Sequence, residues 1–319
     1  MINQKPVFLM KHVPVVLAVL LAFLSCEKGS LAPYTLSVVD QKPFEATIVG
    51  NLKDWAQQND PIMVFTANIS EFPDMPKGYT ISITEKNIQD GKFRIPLNFV
   101  IPGRTYYYTT TLTRNGRDYS SELMLFDTPT LPEGPVDMGT SVKWASTNLM
   151  ARSPFNYGGI YVWGDITYRS SFYWKSYKWG MPDALTKYSQ ADGKTVLDLE
   201  DDAAYAALGG KWRMPSEEEF QELLQNCDLQ YFHFSGANGW LFTSKITGNA
   251  IFFPLDSENI YQSIWARTFH CWSRTLAPGS GEGNPYENAT EFACLQGNAP
   301  VISTRARCEG AAIRPVYVN

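Results

Sequence analysis

The chain has 319 residues, of which 44% are hydrophobic, 14% aromatic and 18% charged, with a net charge of −5. This balance excludes an intrinsically disordered chain, which is apolar-poor and charge-rich, and a nucleic-acid binder with a basic footprint. With His12, His233 and His270 as the only histidines, a multi-histidine metal site has almost no ligands to draw on. The length suits two domains.

Lys5 and Lys11 precede the apolar run 13–24, which ends at Leu24-Ser25-Cys26. A basic start and an apolar run too short to span a bilayer as a helix are the marks of a secretory signal. The small residue directly before Cys26 resembles the bacterial lipobox, which implies cleavage there and a diacylglycerol on the Cys26 thiol. Residues 1–25 are read as a lipoprotein signal peptide and 26–32 as a polar tether. The first expected partner is therefore a lipid bilayer reached through the acyl anchor, and the expected location is the outer membrane, facing outward. Cys227, Cys271, Cys294 and Cys308 remain, all in the last third. An even number in an exported chain predicts two disulfides, with three connectivities open. No CxxC occurs, so zinc is not supported.

Residues 33–128 read as a β-sandwich. Short β-rich runs cover 61–67, 79–84 (with Ile81 and Ile83 on one face), 93–100 and 105–126. Pro96 predicts an edge or a bulge. Asn115-Gly116 predicts a type I′ hairpin, because that turn needs positive φ at both positions. Ile101-Pro102-Gly103-Arg104-Thr105-Tyr106 resembles the fibronectin type III pattern in which the tyrosine forms a corner. The resemblance makes Tyr106 that corner, 107–112 strand F and 122–128 strand G. Tyr106, Tyr107 and Tyr108 also spell an aromatic strip, but alternate strand positions must face inward, so corner and core take precedence. The proline-rich stretch 129–135 reads as a stiff linker.

Residues 136–319 hold all but one of the nine tryptophans. One helix is well marked. Ser216 with Glu219 forms a capping box, Glu217, Glu218 and Glu219 suit the helix dipole, and Phe220, Leu223 and Leu224 make the apolar stripe. A shorter helix covers 201–208 and is closed by Gly209-Gly210. In order, Asp137-Met138-Gly139, Lys143-Trp144-Ala145, Tyr161-Val162-Trp163-Gly164-Asp165, Asp201-Asp202-Ala203-Ala204, Gly210-Lys211-Trp212-Arg213-Met214-Pro215-Ser216, Trp272-Ser273 and Ile313-Arg314-Pro315-Val316 resemble the Fibrobacter succinogenes major paralogous domain. The resemblance covers essentially all of 136–319. It implies an α+β, loop-rich domain similar to C-type lectins and to formylglycine-generating enzyme, in a Bacteroidetes-type surface lipoprotein, and it implies no general activity. A lectin-like fold further implies bridges between Cys227 and Cys308 and between Cys271 and Cys294.

Four sets of residues are candidates for a site. Tyr173, Trp174, Tyr177 and Trp179 offer a carbohydrate-stacking platform, weighed against burial as core. The loop with Asn284, Glu287, Asn288 and Glu291 is similar to the sugar loop of calcium-dependent lectins and offers oxygen ligands. Asp198, Glu200, Asp201 and Asp202 offer a second calcium reading, weighed against acids capping a helix N-terminus. No metal or cofactor is expected, calcium being the one cation weighed. His270 beside Cys271 is the only sequence-local cysteine–histidine pair, and no motif fixes catalytic roles, so no enzyme is expected. The sequence thus reads as an immunoglobulin- or fibronectin type III-like β-sandwich followed by a loop-rich α+β C-type-lectin-like domain. Its expected work is non-catalytic recognition of a surface glycan or protein. The alternative is a structural subunit or adhesin of a surface assembly, and an enzyme of formylglycine-generating-like fold stands third.

Overall fold

The computed structural model describes residues 30–31, 34–52, 63–74, 79–83, 88–98, 100–132, 134–234, 237–255, 268–279, 283–294 and 298–319. The signal peptide, Cys26, most of the tether and the side chain of Ile83 lie outside the described residues.

The first module is a two-sheet sandwich. Its strands are β1 (Ser30–Leu31), β2 (Thr35–Val39), β3 (Ala46–Asn51), β4 (Met63–Ser70), β5 (Tyr79–Ile83), β6 (Ile88–Gln89), β7 (Lys92–Leu97), β8 (Thr105–Arg114), β9 (Arg117–Ser120) and β10 (Met124–Asp127). One sheet runs β1-β9-β8-β4-β5, with β10 also on β8; the other runs β2-β3-β7-β6. Alternation drives the packing. Phe93, Ile95 and Leu97 of β7 and Tyr106, Tyr108 and Leu112 of β8 point into one core, while their sequence neighbours face out. The Tyr106 hydroxyl accepts a hydrogen bond from the Ile101 amide at 2.9 Å, which makes the expected corner. Tyr107 lies on the opposite face, so the three tyrosines do not form one strip. Asn115 and Gly116 take φ of 51° and 73°, as a type I′ turn requires. Pro96 sits where β7 pairs only with β3, since β6 reaches only Lys92 and Phe93. The run expected to continue to Phe126 is instead split. Ser121 bonds both the Thr110 carbonyl (2.8 Å) and the Thr110 amide (2.9 Å), and the chain re-enters the sheet as β10.

The second module is also mostly β. Its elements are β11 (Val136–Asp137), β12 (Lys143–Trp144), β13 (Tyr161–Val162), α1 (Ala203–Leu208), β14 (Trp212–Arg213), α2 (Glu217–Asn226), β15 (Cys227–Phe234), β16 (Ala237–Ser244), β17 (Ala250–Pro254), β18 (Phe269–Leu276), β19 (Asn288–Cys294), β20 (Val301–Ala306), β21 (Gly310–Ala311) and β22 (Val316–Tyr317). They form the sheets β11-β12-β22-β14, β13-β21, β15-β16-β17 and β18-β19-β20. The capping box of α2 is present in both directions, and Arg213 grips Glu219 with both terminal nitrogens, at 2.8 and 2.5 Å. The shorter helix starts later than expected, because Leu199–Asp201 is a separate 3-10 turn. Asp202 caps α1 through the Tyr205 amide and also accepts from the Met214 amide at 2.9 Å. That one carboxylate ties the Asp201-Asp202-Ala203-Ala204 and Arg213-Met214-Pro215 motifs together.

Two fully buried arginines organise the cores. Arg307 donates to the Tyr177 hydroxyl and to the Lys187, Tyr188 and Tyr286 carbonyls, and its guanidinium lies 5.0 Å from the Trp163 ring centre. Arg314 donates to the Asn148 side chain and to the Ala145 and Phe252 carbonyls, 4.4 Å from the Phe253 ring centre. Burial among neutral acceptors lowers the pKa of Arg314 to about 10. The two modules meet at Phe44, which packs with Phe232, Leu241 and Phe252.

The expected disulfides are not formed: Cys227, Cys271, Cys294 and Cys308 are buried free thiols. Cys227 and Cys308 belong to different core clusters. Cys271 and Cys294 face the same core but are diagonal neighbours, since Cys271 pairs with Phe292 and Cys294 with Phe269. Diagonal Cβ atoms lie about 7–8 Å apart or somewhat less, whereas a disulfide needs about 3.8 Å. The Cys294 sulfur instead accepts from the Trp240 indole (3.2 Å) and donates to the Asn298 carbonyl (3.0 Å).

Candidate functional site

The sheet β18-β19-β20 divides its residues between two sides. Phe269 and Cys271 enter the core beside α2, and Trp272 enters the core around Arg307. On the Trp272 side the registers His270↔Ala293, Trp272↔Glu291 and Ala289↔Arg305 put His270, Glu291 and Arg305 on one face. Glu291, only 3% exposed, lies 2.9 Å from His270 Nδ1. Arg305 Nη1 lies 3.1 Å from the same ring nitrogen, and Arg305 Nη2 pairs with Glu309 at 3.0 Å. Tyr157 holds β18 in place: its hydroxyl accepts from the His270 amide (2.9 Å) and donates to the His270 carbonyl (3.1 Å).

This cluster opens into a cleft of about 630 Å³. Its lining includes the aromatics Phe172, Tyr173 and Trp174 and the polar groups His270, Arg305 and Glu309. Tyr173 is 73% exposed and Trp174 is half-buried. The other half of the candidate platform takes the alternative reading and is core. Tyr177 and Trp179 are buried with Trp163 and Tyr188, and their faces are taken by the Arg307 guanidinium. Burial drives the Tyr177 phenol far above its usual pKa, against the Arg307 charge and hydrogen bond, which lower it.

At both places weighed for calcium, the acidic and amide groups have other partners. In the 283–294 loop, Asn284 is spent on a turn. Its side-chain oxygen accepts from the Tyr286 amide (2.8 Å) and its nitrogen donates to the Pro182 carbonyl. Glu287 accepts from the Gly283 amide, Asn288 begins β19, and Glu291 faces His270. These oxygens do not form one ligand set. The carboxylates of Asp198, Glu200 and Asp201 do converge within 4.8 Å of one another. Lys187 fills their centre, at 3.2, 2.7 and 2.5 Å, and Lys178 adds a contact of 2.8 Å to Asp201. Desolvation lowers the Lys187 pKa, but the three carboxylates outweigh it and raise it well above normal. Asp202 turns away to cap α1.

Neither Cys271 nor Cys308 is held as a thiolate beside the cleft. Cys271 points into the opposite core, and burial pushes its pKa to about 12. Cys308 lines the cleft, but burial first and the Glu309 charge second raise it to about 11. Arg305, Glu309, Tyr157 and Phe172 were not singled out from the sequence. Glu291 was weighed only among possible oxygen ligands, yet a carboxylate within the run Ala289–Cys294 is itself the sign of a buried partner.

No family model matches the chain, and no curated protein matches it. Among solved structures it is similar to a myokine, at 17% identity over 32% of this chain and 99% of that one, with a TM-score of 0.25. It is also similar to the sensor domain of the anti-sigma factor RsgI4 of Pseudobacteroides cellulosolvens (16% identity, 31% of this chain, 76% of that one, TM-score 0.25). A third is the fibronectin type III domain of human collagen alpha-1(XX) (16% identity, 36% of this chain, 98% of that one, TM-score 0.26). Each likeness spans about a third of the chain. The fibronectin type III-like sandwich rests on the strand order and the tyrosine corner of the first module.

Proposed function

We propose that the chain is a lipid-anchored outer-membrane protein that recognises a glycan at the cell surface, without catalysis, through the cleft of its second module. We read that module as a member of the Fibrobacter paralogous, C-type-lectin-like group. The sandwich serves as a spacer between anchor and cleft. The observation that carries the reading is that exposed Tyr173 and half-buried Trp174 line the same open cleft as the Arg305–Glu309 ion pair. Aromatic faces stack on the apolar face of a sugar ring, while fixed charged groups bond its hydroxyls. A glycan array run on the full chain in detergent, with and without calcium, tests it. Binding that is equal in both conditions and lost in Trp174→Ala is the expected outcome; the absence of any glycan binding would move the reading to a protein ligand.

A subunit of a surface assembly is the second reading. It is favoured by β1, whose two residues pair in parallel with β9 at a sheet edge. So short a strand is easily exchanged for that of another copy. Concentration-dependent oligomers that vanish when Ser30 and Leu31 are deleted would support it.

A further inference from the structure

The cleft does not end at Phe172. A second open cleft of about 1080 Å³ adjoins it and shares Tyr157, Ile160 and Phe172 with it. The shared wall is fixed by a close approach to β21. A Cβ at Gly310 would come within 2.5 Å of Ile160 and 2.7 Å of Phe172, so both side chains lie directly on the backbone there. Small-ligand sites usually occupy about 300–1,000 Å³, and the two clefts together exceed that range. Exposed aromatic and thioether side chains continue along the rim: Tyr173 over the first cleft, Tyr168 (61% exposed) and Met150 (60%) over the second. The charges along the groove are mostly neutralised in place, Arg169 by Asp165 at 2.6 Å and Arg305 by Glu309. Arg152 adds a cation at the exposed rim with no ion pair among the described residues. Paired charges offer donors and acceptors with little net field, which suits hydroxyl groups better than carboxylates or phosphates.

We infer that the two clefts are consecutive subsites of one groove that takes an extended, uncharged glycan chain rather than a single terminal sugar. The inference rests on the glycan reading above. Calorimetric titration of the full chain with cello-, xylo-, manno- and laminari-oligosaccharides of one to six units tests it. For the ladder that binds, affinity rises at least about ten-fold between two and six units, worth about 1.4 kcal/mol. Tyr168→Ala removes that rise, and Trp174→Ala abolishes binding at every length. A disaccharide that binds as tightly as its hexasaccharide would overturn the two-subsite inference while leaving the glycan reading intact. Failure of every ladder would overturn the inference as well, and the array result then decides the glycan reading separately.

Discussion

Arg305 and Arg307 stand two residues apart at the end of one strand and have opposite surroundings. Arg307 is fully buried, its nitrogens bonded to three carbonyls and a phenol, its faces covered by aromatic rings. Arg305 is 24% exposed in side chain, held by carboxylates at the edge of an open cleft, and its Nε has no partner among the described residues. The comparison separates scaffold from site. A buried cation satisfied by neutral acceptors is committed to the fold, whereas one held by a solvent-accessible ion pair can exchange that contact for a ligand at little cost.

The largest expected effect comes from reversing these roles by mutation. Arg307→Ala strands several buried carbonyls, each costing about 1–3 kcal/mol, so urea denaturation should find a loss of at least about 4 kcal/mol or no fold at all. Arg305→Ala removes the accessible pair with Glu309 and a cation near buried Glu291, which keeps its contact with His270, and should cost about 1–2 kcal/mol. Equal losses for the two would break the comparison. Next is Gly164→Ala. Gly164 takes φ of 77°, and a Cβ there would fall within the Trp179 ring. Strain and clash together predict about 3 kcal/mol, measured by thermal melting.

The Lys187 cluster gives a smaller effect that depends on pH. Desolvation raises the Asp201 pKa, but hydrogen bonds from Lys178, Lys187 and Tyr188 outweigh it and hold it below 3.8. Asp198 is lowered too, first by its bond from Lys194. A carboxyl whose folded pKa lies below its unfolded value adds stability that is complete above the unfolded value, near 3.8, and is lost as pH falls through the folded one. The melting temperature should therefore decline below about pH 4. In Asp201→Asn the decline should be shallower and the neutral-pH melting point lower; an unchanged acid limb would contradict the cluster's role. Smallest of all is the response to reductant. With all four described cysteines free, dithiothreitol should leave the melting temperature unchanged. Alkylation after denaturation without reductant should label Cys227, Cys271, Cys294 and Cys308.

Local rules were legible where one segment decides its own structure. The capping box at Ser216, the Asn115-Gly116 turn and the Tyr106 corner need only neighbouring residues, and each formed as read. The site was legible only in part, because exposure is decided by distant partners. Nothing local to Tyr177 and Trp179 reveals that Arg307, over 120 residues later in sequence, covers them, while Tyr173 and Trp174 beside them stay open. The cysteines misled for the same reason. Export and an even count predict pairing, but pairing also needs a strand register that counting does not supply.

The most direct test is glycan binding by the full chain beside its Trp174→Ala and Arg305→Ala variants, each checked by thermal melting. The account predicts that both variants lose binding while melting within about 3 °C of the parent, the shift that about 2 kcal/mol produces in a chain of this size. Variants that bind as the parent does, or that lose binding only by unfolding, would contradict the assignment of the cleft as the recognition site.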